Sequence, residues 1–451
     1  MTFKSINPYN NKSITTYNEQ SETGIESILS ASEEAFDSWR TVPIPERSRR
    51  MQKAAELLRE NKETYARTMT LEMGKPITES ISEIEKCAWV CEFYAENAER
   101  FLADQIIETD ASESFISHDP IGPVLAIMPW NFPFWQVFRF VAPALMAGNV
   151  ALLKHAPNVF GCAMHIEDLL KEAGFPDGVF QNLVIHHDKV ENIIADDRVK
   201  AATLTGSERA GSSVAALAGE HIKKTVLELG GSNSFIVWED ADIDQAVDTG
   251  ISARMMNSGQ SCIAAKRFIL VGDAYEKFLP AFTEKVKELK SGDPLDEATD
   301  IGPLARTDLA EKLERQVKDS VEKGAQLLMG GERNRAYYEP TILTNVEPGM
   351  PAFDEELFGP AACFIRAESE DEAFELAGKS KYGLGTTVFT TDTERALKAA
   401  GSVPDGAYFI NELVKSDPRL PFGGTKRSGY GRELSREGIL EFVNKKTVYV
   451  K

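Results

Sequence analysis

Short apolar runs alternate with helical patterns from residue 121 onward, and this alternation constrains the fold more than any other feature. Helical patterns such as those at 159–173 and 275–290 lie between some of the runs. Strands separated by helices favour crossover connections, so the sequence predicts an α/β fold with a mostly parallel sheet. We expect strands at 124–128, 150–153, 201–205, 225–229, 235–237, 268–271 and 386–389.

The first 120 residues do not show this alternation of strands and helices. Apolar residues recur at a helical spacing between 25 and 39, and Pro45 stands where a second helix is expected to begin. Residues 102–120 instead predict two strands joined by a polar turn, projecting from the helical part. No internal repeat and no low-complexity linker interrupts the chain, so we expect two or three domains packed against one another.

The charge and the cysteines exclude several classes of function. With a formal net charge of -20 and a pI near 4.9, the chain would be repelled by nucleic acid and by anionic lipid. Its five cysteines form no Cys-x-x-Cys pattern and its six histidines show no ligand spacing, so we expect neither disulfides nor a bound metal. No stretch is apolar enough to span a membrane, and the first residues lack the apolar core of a signal peptide, which favours a cytoplasmic protein.

A cysteine and a glutamate carry the strongest chemical signal. Cys262 follows the small, polar stretch 257–261, whereas the other four cysteines lie among apolar or helical neighbours, where a buried structural thiol is the usual role. Glu228 precedes the pair Gly230-Gly231, and it is either a solvent-facing strand residue or a general base whose partial burial raises its pKa. Together, Cys262 and Glu228 predict covalent capture of a carbonyl carbon followed by hydrolysis.

Asn131 and Ser207 each allow two interpretations. Asn131 lies between Pro129 and Pro133 after a predicted strand, so it is either ordinary turn chemistry or a donor to the oxyanion of a carbonyl under attack. Ser207, in the stretch 205–211, is either an ordinary helix cap or part of a phosphate site at a helix N-terminus. This stretch is not the Gly-x-Gly-x-x-Gly fingerprint, so the residues alone do not name a cofactor.

Seven short motifs, taken in order, resemble the aldehyde dehydrogenase superfamily across essentially the whole chain. They are Pro-Trp-Asn-Phe-Pro at 129–133, Leu-Lys at 153–154, Thr-Gly-Ser at 205–207, Glu-Leu-Gly-Gly at 228–231, Gly-Gln-Ser-Cys at 259–262, Glu-Glu-Leu-Phe-Gly-Pro at 355–360 and Pro-Phe-Gly-Gly at 421–424. The resemblance implies three parts: a Rossmann-like cofactor domain at 1–101 and 121–228, an α/β catalytic domain at 229–441, and an oligomerisation arm at 102–120 and 442–451. Such an arm leaves strand edges for a second subunit, so we expect a homodimer or homotetramer.

The same resemblance implies roles for individual residues. Cys262 would attack the aldehyde carbon, Asn131 and the Cys262 backbone N–H would hold the oxyanion, and Glu228 would activate the water that hydrolyses the thioester. Members that prefer NAD often carry an acidic residue where this chain has Pro157, so nothing there repels the 2′-phosphate of NADP. The cofactor, NAD or NADP, would be held by Trp130, Lys154, Pro157, Gly206, Ser207, Glu356 and Phe358.

Arg139 narrows the range of substrates that we expect. It lies eight residues after Asn131, where the succinate semialdehyde dehydrogenases that this chain resembles bind the distal carboxylate of the substrate. Alternatively, it is a structural arginine paired with a buried carboxylate. Ser416, Arg419 and Phe422 are further candidates for the same pocket. We therefore expect oxidation of succinate semialdehyde to succinate. The alternatives are a broad-specificity aldehyde dehydrogenase and a ligand-binding protein that has the fold but little turnover.

Overall fold

Two large sheets, built mostly from parallel strands, organise the chain. The structure is a computed structural model and describes residues 1–451. One sheet has six strands and the other has seven, and a separate three-stranded sheet includes the C-terminal strand. Helices connect most of the successive strands within each large sheet. The predicted α/β class is therefore confirmed.

The α-helices have the following bounds: α1 Glu22–Trp39, α2 Ile44–Glu60, α3 Lys62–Met73, α4 Ile77–Leu102, α5 Trp135–Ala147, α6 Phe160–Glu172, α7 Val190–Ala195, α8 Glu208–Glu220, α9 Ile243–Met255, α10 Ala274–Glu288, α11 Thr307–Glu322, α12 Pro351–Asp354, α13 Glu370–Gly378, α14 Thr393–Lys398 and α15 Ser435–Ile439.

The strands have the following bounds: β1 Thr2–Ile6, β2 Ser13–Asn18, β3 Gln105–Ile106, β4 Glu113–Pro120, β5 Pro123–Met128, β6 Val150–His155, β7 Phe180–Asn182, β8 Ala201–Thr205, β9 Lys224–Glu228, β10 Asn233–Val237, β11 Ala265–Val271, β12 Gln326–Met329, β13 Arg333–Asn334, β14 Tyr337–Tyr338, β15 Thr341–Thr344, β16 Ala361–Ala367, β17 Tyr382–Gly383, β18 Thr386–Phe389, β19 Tyr408–Ile410, β20 Thr425–Lys426, β21 Gly429–Tyr430 and β22 Val443–Val450.

The six-stranded sheet has the order β21-β9-β8-β5-β6-β7, and all of its strands except β21 run parallel. Strands β5, β6 and β8 are buried on both faces, as near-continuous apolar runs require. Ile127 is paired with Lys154, and Thr205 with Glu228. The carboxyl ends of β5, β6, β8 and β9 therefore meet along one edge, where ligands bind in open α/β sheets.

The seven-stranded sheet has the order β12-β15-β16-β11-β10-β18-β19, and only β12 runs antiparallel to its neighbour. Residues 229–232 alone separate β9 of the first sheet from β10 of the second. The carboxyl edge of the first sheet is therefore joined directly to the amino edge of the second. Cys262 lies at this junction because it shortly precedes β11, the neighbour of β10.

The third sheet consists of β22, β4 and β3, all antiparallel. Its strands occupy the two segments for which the sequence predicts an arm, and Ile106 remains 69% exposed. The predicted domain boundaries stay a prediction; β21, from the segment assigned to the catalytic domain, pairs with β9 in the first sheet. None of the helices combines the length and apolar character that crossing a bilayer needs.

All seven strands expected from the apolar runs are present, and those at 201–205 and 386–389 have the expected bounds. Helix α5 was not predicted, because its residues are buried all round and give no polar stripe. The hairpin of β1 and β2 was also missed, because β2 is almost wholly exposed and lacks the alternation that marks a half-buried strand.

Arg254, near the end of α9, holds two loops together from inside the protein. Its guanidinium is buried and donates to backbone carbonyl oxygens at Ala265 (3.1 Å), Gly259 (2.8 Å), Leu357 (3.3 Å) and Gly359. Burial lowers the pKa of Arg254 to about 10, and no carboxylate is paired with it. The loop before Cys262 and the loop after Glu356 are thereby fixed to one cation.

We expect Arg254→Met to lower the free energy of unfolding by on the order of 2–5 kcal/mol, because it leaves several buried carbonyl oxygens without a donor. Thermal unfolding followed by circular dichroism measures this. Arg306→Met is the matched control, because Arg306 pairs only with Asp308 at the surface; its effect should stay within about 0.5 kcal/mol. Equal shifts in the two variants would contradict the role assigned to Arg254.

Candidate active site

Cys262 follows a turn with an uncommon backbone conformation. Asn257, Ser258 and Gly259 have φ angles of 54°, 52° and 75°, a left-handed region that costs a non-glycine residue energy. A Cβ atom at position 259 would clash with the carbonyl oxygen of Gly359, so the third position requires glycine. Three such residues in succession reverse the chain between α9 and Cys262.

Hydrogen bonds from several elements hold this turn. Glu79 of α4 accepts from the Asn257 backbone N–H at 2.6 Å, and the Ser258 hydroxyl bonds to the Gly302 backbone at 3.0 Å. Burial raises the pKa of Glu79 to about 7. Gln260 Oε1 accepts from the backbone N–H of Ala305 at 2.9 Å. The backbone strain is therefore compensated by contacts outside the turn, which is the condition for such a conformation to persist.

Lys266 secures the other side of Cys262. Its buried ammonium donates to the carbonyl oxygens of Ser261 (2.7 Å) and Cys262 (2.8 Å) and lies 3.6 Å from Glu356 Oε1. Burial raises the pKa of the Cys262 thiol to about 11, while the positive charges of Arg139 and Lys266 oppose that rise. The thiol is therefore protonated at neutral pH and must lose its proton to become a nucleophile.

Two N–H donors beside Cys262 have no acceptor within the protein. Asn131 Nδ2 donates one hydrogen to the carbonyl oxygen of Gln260 at 3.0 Å, which leaves its second hydrogen free. Asn257 Nδ2 donates to the carbonyl oxygen of Asn131 at 2.7 Å, which ties the Asn131 turn to the Cys262 turn. The backbone N–H of Cys262 makes no hydrogen bond. Such free donors suit an oxyanion.

Glu83 of α4 holds the turn that carries Asn131. Its Oε1 accepts from the backbone N–H groups of Phe134 and Trp135, both at 2.9 Å, and so caps the start of α5. Glu83 also pairs with the fully buried Lys75. Because the cap fixes α5, it also fixes the direction in which the residues before that helix point.

Glu228 ends β9 and is buried, with no hydrogen bond to either carboxyl oxygen. Burial and the neighbouring carboxylate of Glu433 raise the pKa of Glu228 well above its ordinary value. The side chain lies against Gly423, where a Cβ atom would come within 2.8 Å of Glu228 Oε1. The structure therefore does not place Glu228 in the wall of the cavity that contains Cys262. No hydrogen bond restrains its rotation towards Cys262.

Cys262 opens into a cavity of about 580 Å³ whose wall is largely apolar. Of the residues expected to bind substrate, Arg139, Ser416 and Phe422 line this cavity. Arg419 does not, because its exposed guanidinium pairs with Asp417 at 2.6 Å.

Arg139 lines the cavity but has a partner of its own. Its guanidinium forms a buried ion pair with Glu433, donates from Nη2 to the Thr205 hydroxyl at 3.2 Å, and packs 4.7 Å from the ring centre of Phe422. This is the arrangement of the structural alternative, in which the arginine balances a buried carboxylate. Spacing along the sequence could not reveal it, because Glu433 lies almost 300 residues away.

The residues expected to bind the cofactor follow the carboxyl edge of the first sheet. Lys154, near the end of β6, is buried, yet its ammonium has no hydrogen-bond acceptor and no carboxylate partner, and burial lowers its pKa. Ser207 caps α8 by accepting from the Ala210 N–H at 3.3 Å, and the preceding residue, Gly206, is half-buried. Pro157 is exposed at the start of a short 3-10 helix. A free buried cation near a helix N-terminus fits an anionic ligand.

Glu356 lies at the junction of the two sheets. Its Oε1 accepts from the Gly231 backbone N–H at 3.0 Å, and a Cβ atom at Gly230 would come within 2.6 Å of Oε2. The rings of Trp130, which precedes Asn131, and of Phe358, two residues after Glu356, meet edge to face with their centres 5.7 Å apart. The structure therefore brings the motifs at 129–133, 228–231 and 355–360 into one region.

Sequence reasoning missed Lys266, Glu83, Glu79 and Glu433. The charge of Lys266 in β11, whose last four residues are apolar, was a usable signal, since a lysine buried in a strand needs polar partners. Glu433 carried no such signal, because the stretch 431–437 around it contains three other charged residues. Glu79 and Glu83 look like ordinary charges on an amphipathic helix.

A family model, curated relatives and solved structures all match this chain over nearly its whole length. The model of the aldehyde dehydrogenase family matches residues 1–448. A probable succinate-semialdehyde dehydrogenase (NADP(+)) of Synechocystis sp. is 50% identical over 453 residues, covering 100% of both chains. Succinate-semialdehyde dehydrogenase (NADP(+)) 1 of Mycobacterium tuberculosis is 45% identical, again over 100% of both. The crystal structure of succinic semialdehyde dehydrogenase from Streptococcus pyogenes in complex with NADP+ covers 99% of both chains with a TM-score of 0.97 and 38% identity.

We expect iodoacetamide to alkylate Cys262 faster as the pH rises, by about tenfold per pH unit between pH 7 and 9, because the thiolate fraction grows at that rate below the pKa. Lys266→Met should slow alkylation most at pH 7, since it removes a positive charge that favours the thiolate. The difference should shrink towards pH 9, because burial lowers the pKa of Lys266 to about 8 and its charge is lost there. Mass spectrometry of the tryptic peptide measures the rate.

Lys266→Arg is the matched control, because it keeps the charge, and it should react at close to the rate of the unmodified protein. The other four cysteines are buried and give little background. A rate that is already independent of pH at pH 7 would contradict the protonated thiol. Equal rates in the Met and Arg variants would show that the charge of Lys266 does not act on Cys262.

Proposed function

The chain belongs to the aldehyde dehydrogenase family, and on that premise we propose that it oxidises succinate semialdehyde to succinate with NADP. The observation that carries the proposal is Cys262 at the end of an apolar cavity whose wall also contains basic side chains. A cation in a largely apolar wall favours a short aldehyde that bears a carboxylate. The relatives at 45–50% identity carry the same activity in their names.

The cofactor assignment depends on charge. NADP differs from NAD by a 2′-phosphate, and an acidic residue near the adenosine ribose would repel that phosphate. Here the position holds Pro157, and the nearby Lys154 has no carboxylate to balance it. We propose that Lys154, Ser207 and Glu356 hold the cofactor, with Trp130, Gly206 and Phe358 shaping its cleft. When bound, the oxidised nicotinamide supplies a hydride acceptor.

The first half of the reaction is covalent capture. The Cys262 sulfur attacks the aldehyde carbon after losing its proton, which gives a thiohemiacetal. The backbone N–H of Cys262 and the free hydrogen of Asn131 Nδ2 stabilise the negative charge that develops on the aldehyde oxygen. Lys266 keeps the Cys262 peptide in place by its bonds to two carbonyl oxygens. Oxidation at the captured carbon converts it to a thioester.

The second half is hydrolysis of that thioester. The raised pKa of Glu228 makes its carboxylate form a stronger base, which suits it to take a proton from water. Its side chain must rotate from its place against Gly423 towards Cys262. The water then attacks the thioester carbon, the carbon–sulfur bond breaks, and succinate leaves while the thiol is restored.

A broad-specificity aldehyde dehydrogenase is the second candidate. The pairing of Arg139 with Glu433 favours it, because a neutralised arginine attracts a substrate carboxylate less than a free one. The size and apolar wall of the cavity would accept uncharged aldehydes as well.

We also propose a homo-oligomer in the cytoplasm, with the domain division expected from the sequence. The three-stranded sheet has exposed strand edges and exposed apolar side chains, including Ile106, Tyr449 and Val450, that a second subunit would cover. All five cysteines are free thiols, which agrees with a reducing compartment.

The function is tested by kcat/KM for succinate semialdehyde and for butanal, each with NADP and with NAD, followed by absorbance of the reduced cofactor. Since butanal has the same carbon chain without the carboxylate, the ratio isolates the effect of that charge. We expect a preference for succinate semialdehyde of about a hundredfold and a preference for NADP. Equal values for the two aldehydes would support the broad-specificity candidate instead.

Glu228→Gln should separate the two halves of the reaction. The variant keeps the shape of the side chain but cannot accept a proton, so capture proceeds and hydrolysis slows by roughly 10²–10⁴-fold. Stopped-flow absorbance should show a burst of about one reduced cofactor per site, followed by a very slow steady state. Full steady-state turnover in the variant would mean that another group activates the water.

A further inference from the structure

Three basic side chains line the cavity of Cys262, and they differ in how their charges are balanced. Lys415 is exposed and donates to Glu412 at 2.7 Å. Arg139 forms its buried ion pair with Glu433. Lys86, on α4, forms no ion pair with any carboxylate, although it is half-buried in a largely apolar wall. Lys86 is therefore the cation of this cavity whose charge is not neutralised.

The surroundings of Lys86 orient its ammonium. The Nζ atom lies 4.3 Å from the ring centre of Trp135 and donates to Ser416 Oγ at 2.8 Å. Burial lowers the pKa of Lys86 to about 8, and the positive charge of Arg139 contributes to the same effect. An ammonium has three N–H donors, so two remain for a ligand. Aromatic contact and one hydrogen bond hold the group without cancelling its charge.

Ser416 adds a second free donor at the same place. It is 5% exposed, and its oxygen accepts from Lys86 Nζ and from Trp135 Nε1, the latter at 3.1 Å. Its own hydrogen has no acceptor in the protein. A hydroxyl that accepts two hydrogen bonds still has its own O–H to donate, so Lys86 and Ser416 together offer donors that match a carboxylate.

The carboxylates around the cavity do not occupy these donors. Glu79 accepts from the Asn257 backbone, and Glu83 is held by Lys75 and the start of α5. Glu297 and Asp300 are exposed at the rim.

We propose that Lys86, with the hydroxyl of Ser416, binds the distal carboxylate of the substrate, while Glu433 holds Arg139 in the wall of the same cavity. This inference rests on the proposed function, because it assigns the residue that selects a carboxylated aldehyde. Since Lys86 is on α4 and Cys262 precedes β11, the two ends of the substrate are bound by different parts of the chain.

The test is Lys86→Met, assayed with succinate semialdehyde and with butanal. We expect KM for succinate semialdehyde to rise about tenfold to a hundredfold, because a charge-assisted contact is lost, while the constants for butanal change less than about twofold. Lys86→Arg should restore most of the affinity, since it keeps the charge. Lys415→Met is the matched control, because that lysine lines the same cavity but already has Glu412, and KM should stay within about twofold.

The outcomes separate this inference from the proposed function. If the unmodified enzyme does not prefer succinate semialdehyde over butanal, the proposed function is wrong and the inference falls with it. If the enzyme has that preference and Lys86→Met keeps it, the function stands and Lys86 is not the carboxylate site. Equal losses on both aldehydes, with a lowered Tm, would also overturn the inference and show that Lys86 only supports the fold.

Discussion

The left-handed turn at 257–259 is the constraint on which the site depends. It reverses the chain between α9 and β11 and places Cys262 at the junction of the two sheets. The turn is strained, so it exists only because α4, the Asn131 turn and the backbone near 302–305 all bind to it. Elements far apart in the chain therefore share the task of positioning one thiol.

Buried cations hold the site together mostly through backbone carbonyl oxygens rather than carboxylates. Arg254 and Lys266 both bind carbonyls of the segment around Cys262. A carbonyl oxygen compensates a buried cation only in part, and burial lowers the pKa of both groups as a result. The charge of Lys266 consequently remains available to the thiol, as does that of Arg139. The pair of Arg139 and Glu433 differs from these cations, because its partner is a carboxylate rather than a carbonyl oxygen. That carboxylate adds to the effect of burial in raising the pKa of Glu228.

The sequence was sufficient to predict the strands and the site segments that local patterns of residues mark. Apolar runs predicted β5, β6, β8 and β9 of the first sheet and β10, β11 and β18 of the second, but not the inner strands β15 and β16. The motifs around 131, 228 and 262 marked segments that the fold brings into one region. It could not predict partners that only the fold creates. Glu433 meets Arg139 because α15 and β21 pack back onto the first sheet and α5. Lys86 looks like any lysine on an amphipathic helix until Trp135 and Ser416 are placed around it.

The isolation of Cys262 among the thiols has a chemical consequence under oxidation. No other cysteine lines its cavity, and Ser261 stands beside it in the chain. A sulfenic acid formed on Cys262 would have no resolving thiol within the subunit, so only an external thiol could restore it before further, irreversible oxidation. Protection must therefore come from the thiol's own high pKa, since a protonated sulfur reacts slowly with oxidants. Burial of Cys262 therefore has two effects. The thiol must lose a proton before it captures each aldehyde, and in the resting enzyme it resists oxidation.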